Sequence, residues 1–255
     1  MFAMNRRLIL AQLGAIALPH DAWAQPSVEQ TGRLQARPLQ NGTPVLAAPP
    51  RGYSLLGINK TNRSRDAVLY APAAFDPLKP IPLLVFLHGA GQNGAFMVKM
   101  LRNAAESHCF LLLAPTSQAL TWDMHHAPAC ADSVTIDAAL AQVFASATAD
   151  RRRIALGGMS DGASFALSLG LANGDLFSDV LSFSAGFFHV PLRFGRPRLF
   201  ISHGRSDQII AFRTGREIAE RLRGAAYDLR FEPFGGGHAI PETGLEIALT
   251  RFLGG

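Results

Sequence analysis

The stretch from Ile154 to Gly162 reads I-A-L-G-G-M-S-D-G, an apolar run that stops at two glycines. Gly158 and Gly162 flank Ser160 two residues away on either side, where they let the backbone turn sharply without Cβ clashes. When a strand precedes such a turn and a helix follows it, a G-x-S-x-G segment lifts its serine to the top of a sheet. The stretch therefore predicts a strand–turn–helix unit with Ser160 at its corner; the alternative is a plain glycine-rich turn with a surface serine.

Strands alternate with helices along the rest of the chain. Continuous apolar runs at 82–87 and 109–114 predict strands that are buried on both faces, as in a parallel sheet. Further strands are expected at 66–70, 154–156, 180–183, 198–202 and 227–232, and helices at 134–147, 163–172, 211–223 and in a final stripe that ends near Phe252. The chain has 255 residues, 48% of them hydrophobic, which suits one large α/β domain at 25–255 with helices on both faces of a mostly parallel sheet.

Residues 1–24 are predicted to be an export signal peptide and not part of the fold. Arg6 and Arg7 precede an apolar stretch at 8–18, and A-W-A at 22–24 precedes Gln25, which is the pattern of a cleaved signal. The apolar stretch is too short to span a bilayer comfortably, so no stable membrane anchor is expected. The paired arginines also resemble a twin-arginine signal, which leaves the Sec and Tat routes open. The protein is therefore expected to be periplasmic or secreted, against the alternative of a buried N-terminal helix.

Charge and cysteine content exclude some classes of function. The formal net charge is +5, yet no basic run with interleaved aromatic residues is present, so we expect no nucleic-acid partner. Cys109 and Cys130 are the two cysteines of the sequence, too few for a disulfide framework and wrongly spaced for zinc. In an exported protein they could form one disulfide, or they could remain buried thiols. The oligomeric state stays open.

A serine hydroxyl is a weak nucleophile until a base accepts its proton, so the histidines need to be sorted. His238 lies in F-G-G-G-H between the last predicted strand and the last helix, where three glycines can bring an imidazole over the sheet edge. His88 and His203 end strands and are expected to support their loops. His125 and His126 are adjacent and would point in opposite directions in a strand, so no metal site is expected. His238 is the candidate base; the alternative is a polar loop residue.

The base needs a third group that holds it in the right tautomer. Asp207 follows the next-to-last strand in H-G-R-S-D and would lie close to a histidine loop after the neighbouring strand. Asp175 and Asp179 also follow the serine, but they flank a helix-to-strand turn at the opposite end of the sheet. The candidate catalytic residues are therefore Ser160, Asp207 and His238.

Two backbone N–H groups are candidates for holding an oxyanion. The N–H of Asp161 follows the serine at the start of the predicted helix. The loop H-G-A-G-Q-N-G after the strand at 82–87 is similar to the HGGG-type loop of esterases, with Ala90 in place of one glycine. Ala90 supplies the first candidate donor there and Gly91 the next; the alternative is a simple tight turn.

Four segments carry a family resemblance: L-H-G-A-G-Q-N-G, G-G-M-S-D-G-A-S, S-H-G-R-S-D and G-G-G-H, spread over residues 66–253. Together they resemble the serine esterases of the α/β-hydrolase fold, similar to the phospholipase/carboxylesterase group and to the esterase/polyhydroxybutyrate-depolymerase-like group. The T-W-D segment at 121–123 also fits this group, whereas H-H-A-P-A-C-A-D after it departs from the expected glycine-rich loop. The resemblance implies cleavage of a carboxylic ester through an acyl-enzyme, without a cofactor.

The acyl and alcohol groups of the substrate remain open. About a dozen residues separate the strands at 180–183 and 198–202, which leaves no room for a large lid domain. Trp122, Phe187 and Phe188 are candidates for the wall of a shallow apolar cleft; the alternative is ordinary packing beneath a loop. A shallow cleft favours short-chain or aromatic acyl esters. Alternatives are an exported polyester depolymerase, a feruloyl or acetyl-sugar esterase, and a non-catalytic binding protein of the same fold.

Overall fold

The computed structural model of the protein describes residues 28–40, 43–123, 130–190 and 192–254. Its strands are β1 (Gly52–Leu55), β2 (Val68–Ala71), β3 (Ile81–Leu87), β4 (Leu111–Ala114), β5 (Ala149–Met159), β6 (Asp179–Phe183), β7 (Arg198–Gly204) and β8 (Leu229–Phe234). Its helices are α1 (Val28–Thr31), α2 (Gly94–His108), α3 (Ala131–Ser146), α4 (Asp161–Ala172), α5 (Phe212–Gly224) and α6 (Glu242–Leu253). The predicted signal at 1–24 and the pair His125–His126 lie outside the described residues.

The strands form one sheet in the order β1-β2-β4-β3-β5-β6-β7-β8. β2 pairs antiparallel with β1 and with β4, and the six strands from β4 to β8 pair in parallel. Strands β3, β4 and β6 are buried along their whole length, as their apolar runs require when helices cover both faces. The predicted mostly parallel α/β sheet is confirmed.

Two apolar layers cover the two faces of the sheet. On one face, Ile136 of α3, Phe165 of α4 and Leu222 of α5 belong to one buried cluster. On the other face, Leu101 of α2 and Phe252 of α6 belong to a second cluster. The parallel arrangement brings the loops that follow β3, β5, β7 and β8 to one edge. The candidate catalytic residues and oxyanion donors lie in these loops or directly after them.

The two cysteines are not bridged, so the predicted disulfide alternative is wrong. Cys109 is exposed and caps the C-terminus of α2 in the left-handed conformation (φ 51°), just before β4 begins. Cys130 is buried just before α3, and its Sγ lies 3.5 Å from Ser133 Oγ. Asp132 of α3 accepts the N–H of Gln118, four residues beyond the other end of β4, at 2.7 Å. The length of β4 therefore separates the thiols. The buried-thiol alternative holds for Cys130, whose thiol pKa is raised by burial.

No helix in the described part of the chain is long and apolar enough to cross a membrane.

Candidate active site

Ser160 lies at a strained corner between β5 and α4. Its backbone has φ 57° and ψ −117°, a conformation that a non-glycine residue rarely adopts. A Cβ on Gly158 would lie 2.3 Å from Gly162 O, and one on Gly162 would lie 2.4 Å from Leu87 O. Both glycines are therefore required by close backbone packing, and the Ser160 N–H donates to Phe183 O of the neighbouring strand at 2.8 Å. The strand–turn–helix unit predicted from G-x-S-x-G is present.

Asp207 and His238 meet at the same edge of the sheet. Asp207 follows β7 and His238 follows β8, and their loops pack so closely that a Cβ on Gly204 would lie 2.2 Å from Gly237 O. His238 Nδ1 lies 2.7 Å from Asp207 Oδ2. The other carboxylate oxygen, Oδ1, accepts the N–H groups of Ile209 and Ile210, each at 2.9 Å. The carboxylate is thereby fixed in orientation, and it leaves His238 Nε2 free.

The environment of Asp207 favours its charged form. Burial would raise the pKa of this carboxyl group, but the hydrogen bonds from the Ile210 N–H, the His238 imidazole and the Ile209 N–H outweigh it, so the pKa lies below its ordinary value. His238 is partly exposed, with 16% of its side-chain surface accessible, whereas the Asp207 carboxylate is inaccessible. A buried, charged carboxylate therefore holds a histidine whose ring is accessible to solvent.

Ser160 shares this edge but is not yet bonded to the histidine. The hydrogen bonds of the described residues include His238–Asp207 and none between Ser160 Oγ and His238. Catalytic hydrogen bonds are often long without substrate and tighten when it binds. The sequence predicted that Ser160, Asp207 and His238 lie at one edge of the sheet. In the structure, Asp207 and His238 are joined directly by a hydrogen bond.

His203 supports the loop after β7, as expected for a histidine at the end of a strand. Its Nε2 lies 2.9 Å from Ile210 O and 3.4 Å from Asp207 Oδ2, and the ring is fully buried. Because Nε2 faces a carbonyl oxygen, it carries the hydrogen. A Cβ on Gly215 of α5 would lie 2.3 Å from His203 Nδ1, so α5 packs directly on this ring. The contact with Asp207 itself was not foreseen.

The loop after β3 lies beside the serine. A Cβ on Gly89 would be 3.5 Å from Ser160 Cβ. The Gly91 N–H donates to Leu120 O at 2.7 Å and is therefore unavailable to a substrate. The N–H groups of Ala90 and Asp161 have no acceptor among the described residues, so of the two donors considered in this loop Ala90 is the free one.

Asp175 and Asp179 lie at the opposite end of the sheet, as the sequence predicted. Asp175 is paired with Arg33 at 2.7 Å and with Arg37 at 3.0 Å. Asp179 begins β6, is buried, and is paired with Arg198 at 2.9 Å. Neither carboxylate is available to His238.

Two of the three predicted cleft residues do not form a cleft wall. Trp122 is 2% exposed and stacks on Phe165 of α4 with 5.5 Å between ring centroids. Phe188 is 9% exposed and lies beneath the guanidinium of Arg221. Both side chains belong to the buried apolar cluster that also contains Phe165. Phe187, 47% exposed, is the one of the three that can contact a substrate.

No group of three or more histidine, cysteine or acidic side chains that could hold a metal ion occurs among the residues that the structure describes.

Part of the chain matches a family of known proteins. Residues 129–253, just under half of the chain, match the profile of the phospholipase/carboxylesterase family. They include the serine corner, the acid and the histidine. No curated protein matches the sequence.

Solved structures share the fold at low sequence identity. An acetyl xylan esterase from Aspergillus awamori is 15% identical with a TM-score of 0.65, over 80% of this chain and 99% of that chain. A substrate-bound, fluorophosphonate-binding serine hydrolase of Staphylococcus aureus is 17% identical with a TM-score of 0.61, over 80% and 99%. A ferulic acid esterase from Anaeromyces mucronatus is 16% identical with a TM-score of 0.59, over 82% and 90%. The chain has the α/β-hydrolase fold.

Proposed function

We propose that the protein cleaves carboxylic esters through an acyl-enzyme formed on Ser160, with His238 as the base and Asp207 as the orienting acid. The observation that carries the proposal is the strained Ser160 corner at the sheet edge where His238 and Asp207 are hydrogen-bonded at 2.7 Å. A strained backbone conformation persists only where the surrounding structure enforces it, and strained residues are found most often at active sites and ligand-binding sites.

The first half-reaction forms the acyl-enzyme. His238 Nε2 accepts the proton of Ser160 Oγ as that oxygen attacks the ester carbonyl carbon. The bond between Asp207 Oδ2 and His238 Nδ1 keeps Nδ1 protonated and stabilises the imidazolium. The N–H groups of Ala90 and Asp161 hold the negative oxygen of the tetrahedral intermediate. When the intermediate collapses, His238 gives its proton to the leaving alcohol, and the acyl group remains on Ser160.

The second half-reaction restores the enzyme. His238 Nε2 takes a proton from a water molecule, which attacks the acyl carbon through the same oxyanion geometry. Collapse of the second intermediate breaks the bond to Ser160 Oγ, and the proton on His238 returns to that oxygen. A carboxylic acid leaves, and no redox step is involved.

The connector between β6 and β7 supports small acyl groups as substrates. The described residues of this connector, 184–190 and 192–197, contain no helix or strand, and Phe187 is exposed among them. The Gly186 N–H donates to Ser164 Oγ at 3.0 Å, and Ser164 lies one turn after Ser160 in α4. Phe187 is therefore held next to the first turn of the nucleophile helix. We expect it to contact a short or aromatic acyl group.

A second candidate, hydrolysis of polymer-linked esters, is favoured by the apolar rim. Leu120, Phe187 and Ile209 come from the loops after β4, β6 and β7, and they are 69%, 47% and 73% exposed. Such exposed side chains around one edge suit contact with an extended substrate. Release of soluble acid from a polyester or acetylated polysaccharide suspension, compared with a soluble aryl ester, separates the two candidates.

The assignment is tested by covalent labelling. A fluorophosphonate probe should modify the wild-type protein at Ser160, identified by peptide mass spectrometry, and should leave Ser160→Ala unlabelled. Folded Ser160→Ala should lose about 10⁶-fold in kcat if the three residues act as a unit. Ser178→Ala, on the turn before β6 at the opposite edge, is the matched control and should be labelled normally. A protein that is not labelled at all and cleaves no ester would favour the non-catalytic binding protein.

Export is proposed as well, on the sequence alone. The A-W-A segment at 22–24 predicts a mature protein that begins at Gln25. Intact-mass measurement of the protein expressed with its own leader in a bacterial host checks this. Retention of Met1 or Met4 in the exported fraction would contradict it.

A further inference from the structure

His88 is a buried imidazole that the proposed acyl-transfer steps do not use. It follows β3, is fully buried, and is bonded at both ring nitrogens. The Ser117 N–H donates to Nε2 at 3.0 Å, so Nε2 carries no hydrogen. In the neutral ring the hydrogen is then on Nδ1, which donates to Gly89 O at 2.8 Å. Burial lowers the pKa of His88, which agrees with a neutral ring in this one tautomer.

The carbonyl that His88 holds belongs to the peptide group of the free donor. Gly89 C=O and Ala90 N–H are parts of one planar trans peptide, so they point in opposite directions. Gly89 O accepts a hydrogen bond from His88 Nδ1 and a second from the Gln92 N–H at 3.1 Å. Fixing this oxygen therefore fixes the direction of the Ala90 N–H. That N–H has no acceptor of its own in the described part of the chain.

Trp122 joins this loop to the serine corner. Its indole N–H donates to His88 O at 2.8 Å, and its ring lies 4.8 Å from the imidazole, centroid to centroid. Its backbone N–H donates to Asp161 Oδ2 at 2.9 Å. Asp161 is the first residue of α4 and carries the other candidate donor. The two donors thus come from two elements that Trp122 connects.

We propose that His88 is a positioning residue that aims the Ala90 N–H at the oxyanion, and that Trp122 holds this donor in register with the Asp161 N–H. The proposal rests on the proposed function, because it concerns the same reaction. A preorganised donor stabilises charge that develops only in the transition state, so misdirecting it lowers kcat and leaves substrate binding unchanged.

Two substitutions at His88 separate the two hydrogen bonds of the ring. His88→Asn places an amide N–H near the position of Nδ1 and can keep the bond to Gly89 O. His88→Gln places its amide near the position of Nε2 and can keep only the bond from Ser117. Both remove the ring from the same buried site, so a merely structural role would affect them alike. Asn173→Ala is the matched control, because it removes a buried, fully bonded side chain at the far end of α4.

The experiment measures kcat and KM on a soluble short-chain ester and the inhibition constant of a trifluoromethyl ketone, whose adduct with the serine carries an oxyanion. We expect His88→Gln to lower kcat about tenfold or more and to weaken the ketone in parallel, with KM within about twofold of the wild type. His88→Asn should retain more of both, and Asn173→Ala should lower the melting temperature without this loss. Equal effects in the two His88 variants, a change confined to KM, or a kcat loss matched by Asn173→Ala would overturn the proposal.

Trp122→Phe keeps the test decisive if neither His88 variant folds. It removes the indole N–H to His88 O and retains an aromatic ring on Phe165. A lower kcat at unchanged KM supports the proposal, and wild-type kcat overturns it. Ser160→Ala is measured alongside. If that variant stays active, the proposed function has failed; if it is inactive while the His88 and Trp122 variants are as active as the wild type, only this inference has failed.

Discussion

Both carboxylate oxygens of Asp207 are hydrogen-bonded, and these bonds determine the expected effect of substituting this residue. Oδ1 is held by two backbone N–H groups of its own loop, and Oδ2 faces His238 at 2.7 Å and His203 at 3.4 Å. The pKa of the acid is held below its ordinary value, so it is ionised throughout the neutral range. In the proposed mechanism its contribution is therefore the orientation of His238 and the stabilisation of its cationic form.

Asp207→Asn should lower kcat by about 10⁴-fold, less than the loss expected for Ser160→Ala, because the histidine is misoriented and not removed. If the asparagine amide donates to Nδ1 of His238, the ring hydrogen is on Nε2. Nε2 then cannot accept the proton of Ser160 Oγ. Steady-state kinetics on a soluble ester check this.

Asp175→Asn is the control for this substitution. Asp175 lies at the opposite end of the sheet and is paired with Arg33, so its substitution should leave kcat as in the wild type. A larger loss of kcat in Asp175→Asn than in Asp207→Asn would show that the acid is wrongly assigned.

At the scale of elements, the corner between β5 and α4 depends on the absence of two side chains. A methyl group at position 158 would overlap Gly162 O at 2.3 Å, and backbone atoms cannot move aside as a flexible side chain can. Gly158→Ala should therefore reduce the free energy of unfolding by about 1–3 kcal/mol, as other overpacking substitutions do. It should also reduce activity, because the serine moves with the corner.

Gly224→Ala is the matched control for the corner. Gly224 ends α5 with no atom within 4 Å of a built Cβ, so alanine there should leave stability unchanged or raise it by up to about 1 kcal/mol. Urea unfolding of both variants compares them. A Gly158→Ala protein as stable as Gly224→Ala would show that the corner tolerates a Cβ.

How far the sequence predicts these elements depends on how local the signal is. The corner at Ser160 is set by glycines within a few residues and was predicted. β5 is longer than expected, Ala149–Met159 and not 154–156, because three arginines at 151–153 interrupt the apolar pattern. Ala149 still pairs with Ile81 of β3, and the register shifts before Ile154 pairs with Leu83. β8 begins two residues later than expected and includes Pro233, which an edge strand tolerates.

Contacts between distant residues could not be predicted in the same way. Trp122 and Asp161 are 39 positions apart, and no spacing rule indicates that they bond. The sequence pattern fits an aromatic residue in a cleft wall and one in the core equally well. Trp122 and Phe188 are buried in the structure and belong to the core. The Asp207–His238 pair was accessible to sequence reasoning because parallel neighbouring strands bring the loops that follow them together.

At the scale of the whole molecule, an ion pair fastens the N-terminal segment to the helix that carries the serine. Arg33 bonds to Ala172 O and to Asp175 just after α4, and the Leu34 N–H bonds to Asn173 Oδ1 at 2.9 Å. The hydrogen bond from Arg33 outweighs partial burial and lowers the pKa of Asp175 to about 2. This segment crosses from the first described residues to the far end of α4.

A depressed folded-state pKa makes this fastening sensitive to acid. The stabilisation by Asp175 is fully present above its ordinary pKa of 3.8 and is lost as pH falls toward about 2, where the folded-state carboxyl group becomes protonated. The difference in melting temperature between wild type and Asp175→Asn should therefore shrink over this range. Because the carboxylate is 39% exposed, solvent screening keeps the difference small. A difference that is constant from pH 6 to pH 2 would contradict this account.

The loops at the active-site edge set the expected substrate range of the whole molecule. The β6–β7 connector at 184–197 is short, and Trp122 and Phe188 are buried in the core. Phe187 is the exposed one of the three candidate aromatic residues, and it lies beside the first turn of α4. A long acyl chain would leave most of its methylene groups in water, and each unburied group forgoes about 0.8 kcal/mol of transfer free energy. We expect kcat/KM to be highest for short acyl chains in a graded series of esters, with no increase in rate at the solubility limit of the substrate. Phe187→Ala should lower kcat/KM for an aromatic acyl ester more than for an acetate. An optimum on long-chain emulsions with a sharp rise at the interface would instead indicate a lipase.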